Sequence, residues 1–384
     1  MHGLPYWRLS SFYFFYFAFV GAFTPYWGLY LKSLEFNAFQ IGMLMSLLQV
    51  ARIFAPNLWG WLADHTGKRV AVVQLAALLS LISYVGVFAG DSFWWLFMVM
   101  LLMSLFWSAS LPLVEAITLG HLGVGAEGYG RIRLWGSIGF IVAVLLLGYV
   151  LDYAPVRALL WIVLGLKAGV LLFTRHIPEP RFIPHHTDDQ PVWQIIRRPE
   201  VAAFLAACFL MAAAHGVYYT FYSIYLVDHG YSKSAVGLLW AIGVICEVLV
   251  FLWMPRLTAK FGLRQILMAS FALATLRFVM IGWGVASVVI VVLAQTLHAA
   301  SFGSYHAAAV ALTHHYFRGR HQAKGQGLYT SISFGLGGTL GGIMSGYAWE
   351  SLGAGWAFSI SALFALTGFA ILAWRLLFNH DEAG

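Results

Sequence analysis

The chain has 384 residues, of which 61% are hydrophobic and 17% aromatic, against only 10% charged. A soluble domain carries roughly a quarter charged residues and covers its surface with them, so this composition excludes a soluble globular protein and requires contact with lipid. The formal net charge of +7 does not point to nucleic acid, because the basic residues are scattered over alternate loops and form no single patch.

Twelve apolar runs follow one another, at roughly 9–31, 39–62, 70–90, 93–120, 133–152, 156–174, 200–227, 234–255, 265–285, 287–312, 327–349 and 354–376. A run of about 20 residues crosses a bilayer as a helix. The period-two alternation of a transmembrane barrel is missing. The predicted fold class is an all-α polytopic membrane protein, with twelve transmembrane helices in two six-helix pseudo-symmetric halves. What remains makes only short loops and tails, leaving no room for an attached soluble domain.

The first run, "SSFYFFYFAFVGAF", is long and aromatic and has no small-residue cleavage site, so it reads as a span and not as a secretory signal. Between the sixth and seventh runs lies a charged, proline-rich stretch, which reads as a cytoplasmic linker. It divides the chain into residues 1–175, a linker at 176–199, and residues 200–384. Cys208 and Cys246 both fall inside runs, which argues against a disulfide framework. With both termini in the cytoplasm of an inner-membrane protein, the outer loops hold only Lys32, Arg157 and Lys233 of the basic residues outside the spans, as the positive-inside bias demands.

The two halves echo each other at one constant offset of 195: Tyr30-Leu31 with Tyr225-Leu226, Gly42 with Gly237, Leu62 with Leu257, Gly67 with Gly262, and Arg69 with Arg264. An even number of spans per half makes this a parallel repeat, one route to alternating access.

A charge at bilayer depth costs about 2.5–3.5 kcal/mol or more, and it marks a functional site by default. The runs hold Arg52, Glu115, Arg133, His215, Glu247, Arg277, His298 and His306. Structural ion pairs are the competing reading. Arg52 stands at the repeat position of Glu247, which suits either a pair or two separate gates. Lys167 lies nearer the end of its run, reads as a snorkelling side chain, and is left out of this set. At 100° per residue, His215, Tyr218, Tyr219 and Tyr222 share one helix face, as do His298, Ser301, Phe302 and Tyr305. Neither His215 nor His298 has a carboxylate or a second histidine three or four residues on, so no metal site is expected. H-E-x-x-H, G-x-S-x-G and Walker-type motifs are missing, so neither an enzyme nor a cofactor is expected.

The loop "GWLADHTGKR" at 60–69 resembles the G-x-L-A-D-x-x-G-[RK]-[RK] signature of the major facilitator superfamily. That resemblance implies a gating role for Gly60, Asp64, Gly67, Lys68 and Arg69, to which Arg52 is added. Asp64 would cap a helix N-terminus or pair with a cation across the two halves. "TPYWGLYLK" (24–32), "VARIF" (50–54), "GRIRLWGS" (130–137), "HGVYYTF" (215–221), "YSKSAVGLLWAIGVICEV" (231–248), "LRF" (276–278) and "QTLHAASF" (295–302) are similar to the phenylpropionate permease group of that superfamily, and more distantly to the oligosaccharide–proton symporters. Ser301 stands where the latter carry a proton-binding glutamate.

The resemblance implies a monomeric secondary transporter in the lipid bilayer, whose partners are a small-molecule substrate and a proton. Its expected activity is proton-coupled symport of a small organic solute, such as the aromatic carboxylate 3-phenylpropionate. Sugar or nucleoside symport and proton-antiport efflux are the alternatives. Substrate binding falls to Glu115, Arg133, Tyr218, Tyr219, Tyr222, Arg277, His298 and Tyr305, and proton coupling to Glu247, His298 and Arg277. Desolvation disfavours the charged form of a carboxylate, which makes Glu247 the candidate proton carrier.

Overall fold

The computed structural model describes residues 4–123, 128–180 and 192–378; the middle of the predicted linker lies outside them. Nearly all of the described residues are helical, and none of them is in a strand. The helices are α1 (Tyr6–Ser33), α2 (Ala38–Thr66), α3 (Arg69–Val85), α4 (Phe93–Trp107), α5 (Ser110–Leu122), α6 (Tyr129–Tyr153), α7 (Ala158–Thr174), the short α8 (Trp193–Ile196), α9 (Pro199–Ala214) and α10 (Gly216–Asp228). They continue with α11 (Lys233–Gly284), α12 (Val288–His298), α13 (Tyr305–Tyr316), α14 (Gln322–Thr330), α15 (Gly338–Leu352) and α16 (Ala354–Phe378). Two π-helical segments, Ala299–Ser304 and Ser331–Gly337, join α12 to α13 and α14 to α15.

Eight helical stretches among the described residues are long and apolar enough to cross a membrane, against the twelve expected. The difference has physical causes. Tyr6–Ser33 is lowered in hydropathy by its tyrosines and tryptophans. Ala158–Thr174 is only 17 residues long. Lys233–Gly284 runs for 52 residues but is broken at Gly262, whose φ of 74° and ψ of 159° are not helical. The eleventh run, over α14, the Ser331–Gly337 segment and α15, is diluted by glycine and hydroxyl residues. The fourth run is counted as one span, although it is interrupted between α4 and α5 because Pro112 has no N–H for the Ser108 carbonyl and its ring crowds that turn. The Leu105 carbonyl beside the break accepts the Trp59 indole N–H at 2.9 Å and the Ser108 hydroxyl at 2.9 Å.

The repeat reappears in backbone geometry. Gly67 ends α2 in the left-handed region at φ 66°, and Gly262 breaks α11 at φ 74°. Asn37 caps α2 through a capping box with Gln40, and at the same offset Ser232 accepts the Ala235 N–H at the start of α11.

Contacts divide the chain into two compact units. One comprises Met1–His185 with Gly230–Ala241, the other His186–His229 with Ile242–Gly384. In the first, α1 packs on α6 and α7, and α3 on α4, α5 and α7. The Asp152 carboxylate on α6 accepts the backbone N–H groups of Lys233 and Ser234 at 2.7 and 3.0 Å, together with the Ser234 hydroxyl, which fixes the start of α11 to this unit. Asp64 pairs with Arg69 across its own turn at 3.0 Å. The α3 N-terminus is instead capped by Glu179, which accepts Val70 N–H at 3.0 Å, so the capping role expected of Asp64 belongs to a residue after α7. In the second unit, α9 packs on α16 and on the Ser331–Gly337 segment, and α10 packs on α15.

Glycine sets the helix spacing in both units. A Cβ at Gly139 would lie 2.2 Å from the Phe14 carbonyl oxygen, and one at Gly341 would lie 2.2 Å from that of Ala213. Small residues of this kind let membrane helices approach backbone to backbone. Gly139→Val therefore forces α1 and α6 apart and costs about 1–3 kcal/mol or more. Gly165, whose Cβ would meet nothing within 4 Å, serves as the control: Gly165→Ala stabilises by about 0.5–1 kcal/mol. Thermal unfolding of purified protein in detergent checks both, and equal melting temperatures for the two variants would contradict this account.

Candidate functional site

Two sets of ionisable side chains lie among the spans, one in each unit. The larger is in the second unit, on α10, α11, α12 and the π segment that follows. Two glycines bring these elements together: a Cβ at Gly243 would lie 3.2 Å from Gln295 Oε1, and one at Gly303 would lie 2.9 Å from Glu247 Cγ.

At its centre is Arg277, fully buried. Its Nε donates to the Ala294 carbonyl at 3.0 Å and its Nη1 to the Ser301 hydroxyl at 3.5 Å, while the guanidinium carbon lies 4.1 Å from the centroid of the Tyr218 ring. Such stacking suits the planar, weakly hydrated guanidinium. Nη2 has no hydrogen-bond partner among the described residues. Tyr218 donates its hydroxyl to Gln295 Oε1 at 3.1 Å, and the Gln295 Nε2 likewise has no partner. His298 Nε2 lies 3.8 Å from Glu247 Oε2, within ion-pair distance but beyond a hydrogen bond. His215 Nδ1 donates to the Met211 carbonyl at 2.9 Å, which leaves Nε2 of the neutral ring as an acceptor without a partner.

His215, Tyr218, Tyr219, Glu247, Arg277 and His298 are thus brought together, with Tyr222 ranged against Tyr218 at 4.9 Å between ring centroids. Tyr305 is not. Its hydroxyl donates to the Cys208 carbonyl at 3.4 Å, and its ring meets Phe271. The regular 100° wheel fails here because the π segment contains one residue more than an α-helix needs. The face that forms is His298, Phe302 and His306, with successive rings 5.3 and 6.1 Å apart and each pair within 5° of parallel. Gln295 was missed in the sequence because an amide carries no charge. Its place one turn before His298 is the signal that was there to be read.

The set in the first unit is looser. Glu115 accepts the Tyr129 hydroxyl at 3.1 Å, and Arg133 lies over the Phe17 ring at 3.8 Å. The acid and the arginine do not meet in an ion pair. Lys167, read as snorkelling, is in fact 2% exposed and enclosed by the bundle. Among the described residues no group of three His, Cys, Asp or Glu side chains could hold a metal ion.

Known proteins place this arrangement in a family. A model of the MFS_1 like family matches residues 6–360. The probable 3-phenylpropionic acid transporter of Escherichia coli (strain K12) is 30% identical over 361 residues, covering 92% of this chain and 93% of its own. The maltose permease of Geobacillus stearothermophilus is 26% identical over 368 residues, covering 94% and 92%. Among solved structures, the nucleoside transporter NupG superposes with a TM-score of 0.83 at 22% identity, covering 97% of this chain and 99% of its own. The helical fold and the full-length match agree: this chain belongs to the MFS_1 like family and is a membrane-embedded secondary transporter of the major facilitator superfamily.

Proposed function

We propose that the protein is a proton-coupled symporter that carries a small aromatic carboxylate, such as 3-phenylpropionate, across the inner membrane by alternating access of residues 1–175 and 200–384, as a monomer with both termini in the cytoplasm. The observation that carries this reading is the surplus of donors around Arg277. Arg277 Nη2 and Gln295 Nε2, both donors, have no hydrogen-bond partner among the described residues. A carboxylate supplies two acceptors and matches a guanidinium edge. The Tyr218, Tyr222 and Phe302 rings nearby make the surroundings aromatic, as suits a phenyl group. The similarity to a probable 3-phenylpropionic acid transporter supports the same substrate class.

Coupling follows from a shared cation. With the site empty, Arg277 and His298 favour an ionised Glu247. A bound carboxylate engages the arginine, withdraws that support, and lets Glu247 take a proton, so that substrate and proton cross together. A sugar or nucleoside is the second reading, and the unpartnered His215 Nε2 favours it, because hydroxyls need acceptors as well as donors.

Uptake into proteoliposomes of 3-phenylpropionate, maltose and uridine, each with and without an inward proton gradient, separates these readings. Gradient-driven uptake of the carboxylate alone is the expected result. Accumulation of maltose or uridine in its place would reject the carboxylate.

Glu247→Gln mimics the protonated acid. It should abolish uphill accumulation yet keep binding and counterflow exchange. Accumulation with normal pH dependence in this variant would remove Glu247 from the coupling step. Arg277→Lys keeps the charge and loses the planar fork. Equilibrium binding of the carboxylate should weaken about tenfold or more, since a charge-assisted bond is worth about 1.5–3 kcal/mol, and unchanged binding would assign Arg277 to packing alone. Asp64→Asn breaks the turn's ion pair with Arg69. It should slow turnover and leave affinity within about twofold, because a gate acts on interconversion.

A further inference from the structure

Lys167 lies on α7 with its side chain buried, and no carboxylate among the described residues pairs with it. A buried charge without a counter-charge is destabilising unless other groups replace its hydration. Here three do. Nζ donates to Ser80 Oγ at 2.8 Å and lies 4.5 Å from the Phe19 ring centroid and 4.4 Å from that of Trp107. Ser80 in turn donates its own hydrogen to the Met103 carbonyl at 3.1 Å. That order matters. With its hydrogen committed to Met103, Ser80 can only accept from Lys167, and the Tyr84 ring adds a further electron-rich face at 5.9 Å. Such acceptors and ring faces suit an ammonium ion.

The target of this relay is the carbonyl end of α4. Met103 lies in the last turn before α4 stops at Trp107, at the negative end of the helix dipole, where a cation is favoured. Trp107 is itself clamped, stacked on Tyr16 at 4.4 Å and 9° and packed on Phe19 at 4.2 Å. Directly beyond it comes the break imposed by Pro112, then α5, which carries Glu115. We propose that Lys167 is the positioning residue of a hinge in this fourth membrane segment: its buried ammonium holds the carbonyl end of α4 and the Trp107 ring, and so controls how readily α5 swings with Glu115 during transport.

Lys167→Met removes the charge at nearly the same length and leaves no carboxylate unpaired, so the protein should still fold. Hydrogen exchange of the backbone amides at 105–111 should accelerate about tenfold, as expected when a local opening is released. Maximal uptake velocity should change by about fivefold or more, with KM within about twofold, since a hinge acts on interconversion. Lys167→Arg, which restores a cation between the rings, should recover part of both effects. Ser80→Ala, which cuts the relay but keeps the enclosing rings, should give an intermediate acceleration. The exchange measurement needs no substrate, so it stands apart from the symport reading, on which only the uptake measurement rests. Wild-type exchange at 105–111 in Lys167→Met would overturn the proposal, as would a raised KM at unchanged maximal velocity. Should Lys167→Met fail to fold, exchange in Ser80→Ala decides alone: acceleration supports the hinge and wild-type exchange rejects it.

Discussion

A bilayer supplies no water to a buried polar group, so every cation and every freed carbonyl inside a span must be met by the protein itself. The two units answer this constraint differently. Around Lys167 the account closes: a hydroxyl and ring faces meet the side-chain nitrogen, and the hydroxyl passes the contact on to a helix end. Around Arg277 it does not close. One carbonyl, one hydroxyl and the Tyr218 and Phe278 rings meet the guanidinium, and an N–H edge remains with an amide nitrogen beside it in the same condition. A side chain whose valences are all met belongs to the scaffold, whereas one with donors to spare is ready for a guest. This difference, more than charge or depth alone, separates the two basic residues.

The fold of a family and the ligand of one member rest on different evidence. Superposition on a nucleoside transporter at 22% identity shows how the helices run, and the match over residues 6–360 shows the lineage. Neither reaches the ligand, because one scaffold hosts many chemistries through the side chains set on it. The donor surplus at Arg277 and Gln295 is a statement about chemistry, and it holds whichever relative is chosen for comparison.

Much of this architecture was legible in the sequence, and the reasons are local. Gly67 and Gly262, separated by the repeat offset, both adopt positive φ because the turn at each place needs it. Tyr218 and Tyr222 bring their rings to 4.9 Å because α10 is a regular helix over that turn. What escaped depends on partners far away in the chain or on departures from regularity. Glu179 caps a helix that begins more than a hundred residues before it. Lys167 was misplaced because its position in the run says nothing of the rings that surround it. Tyr305 was assigned to the wrong face because the wheel was drawn straight through a π segment. The break before Ser110, by contrast, was there to be found: Pro112 inside a long apolar run announces it.

Those π segments bear on chain length. Deleting one residue from an ordinary stretch of a span rotates everything beyond it by about 100°, tearing the packed face from its neighbours. Within Ala299–Ser304 or Ser331–Gly337 the surplus residue is already absorbed. A single deletion there would let the backbone relax into regular α-helix while the flanking turns kept their orientation. These two places are therefore where the second unit can lose a residue inside the membrane without exchanging one set of helix contacts for another.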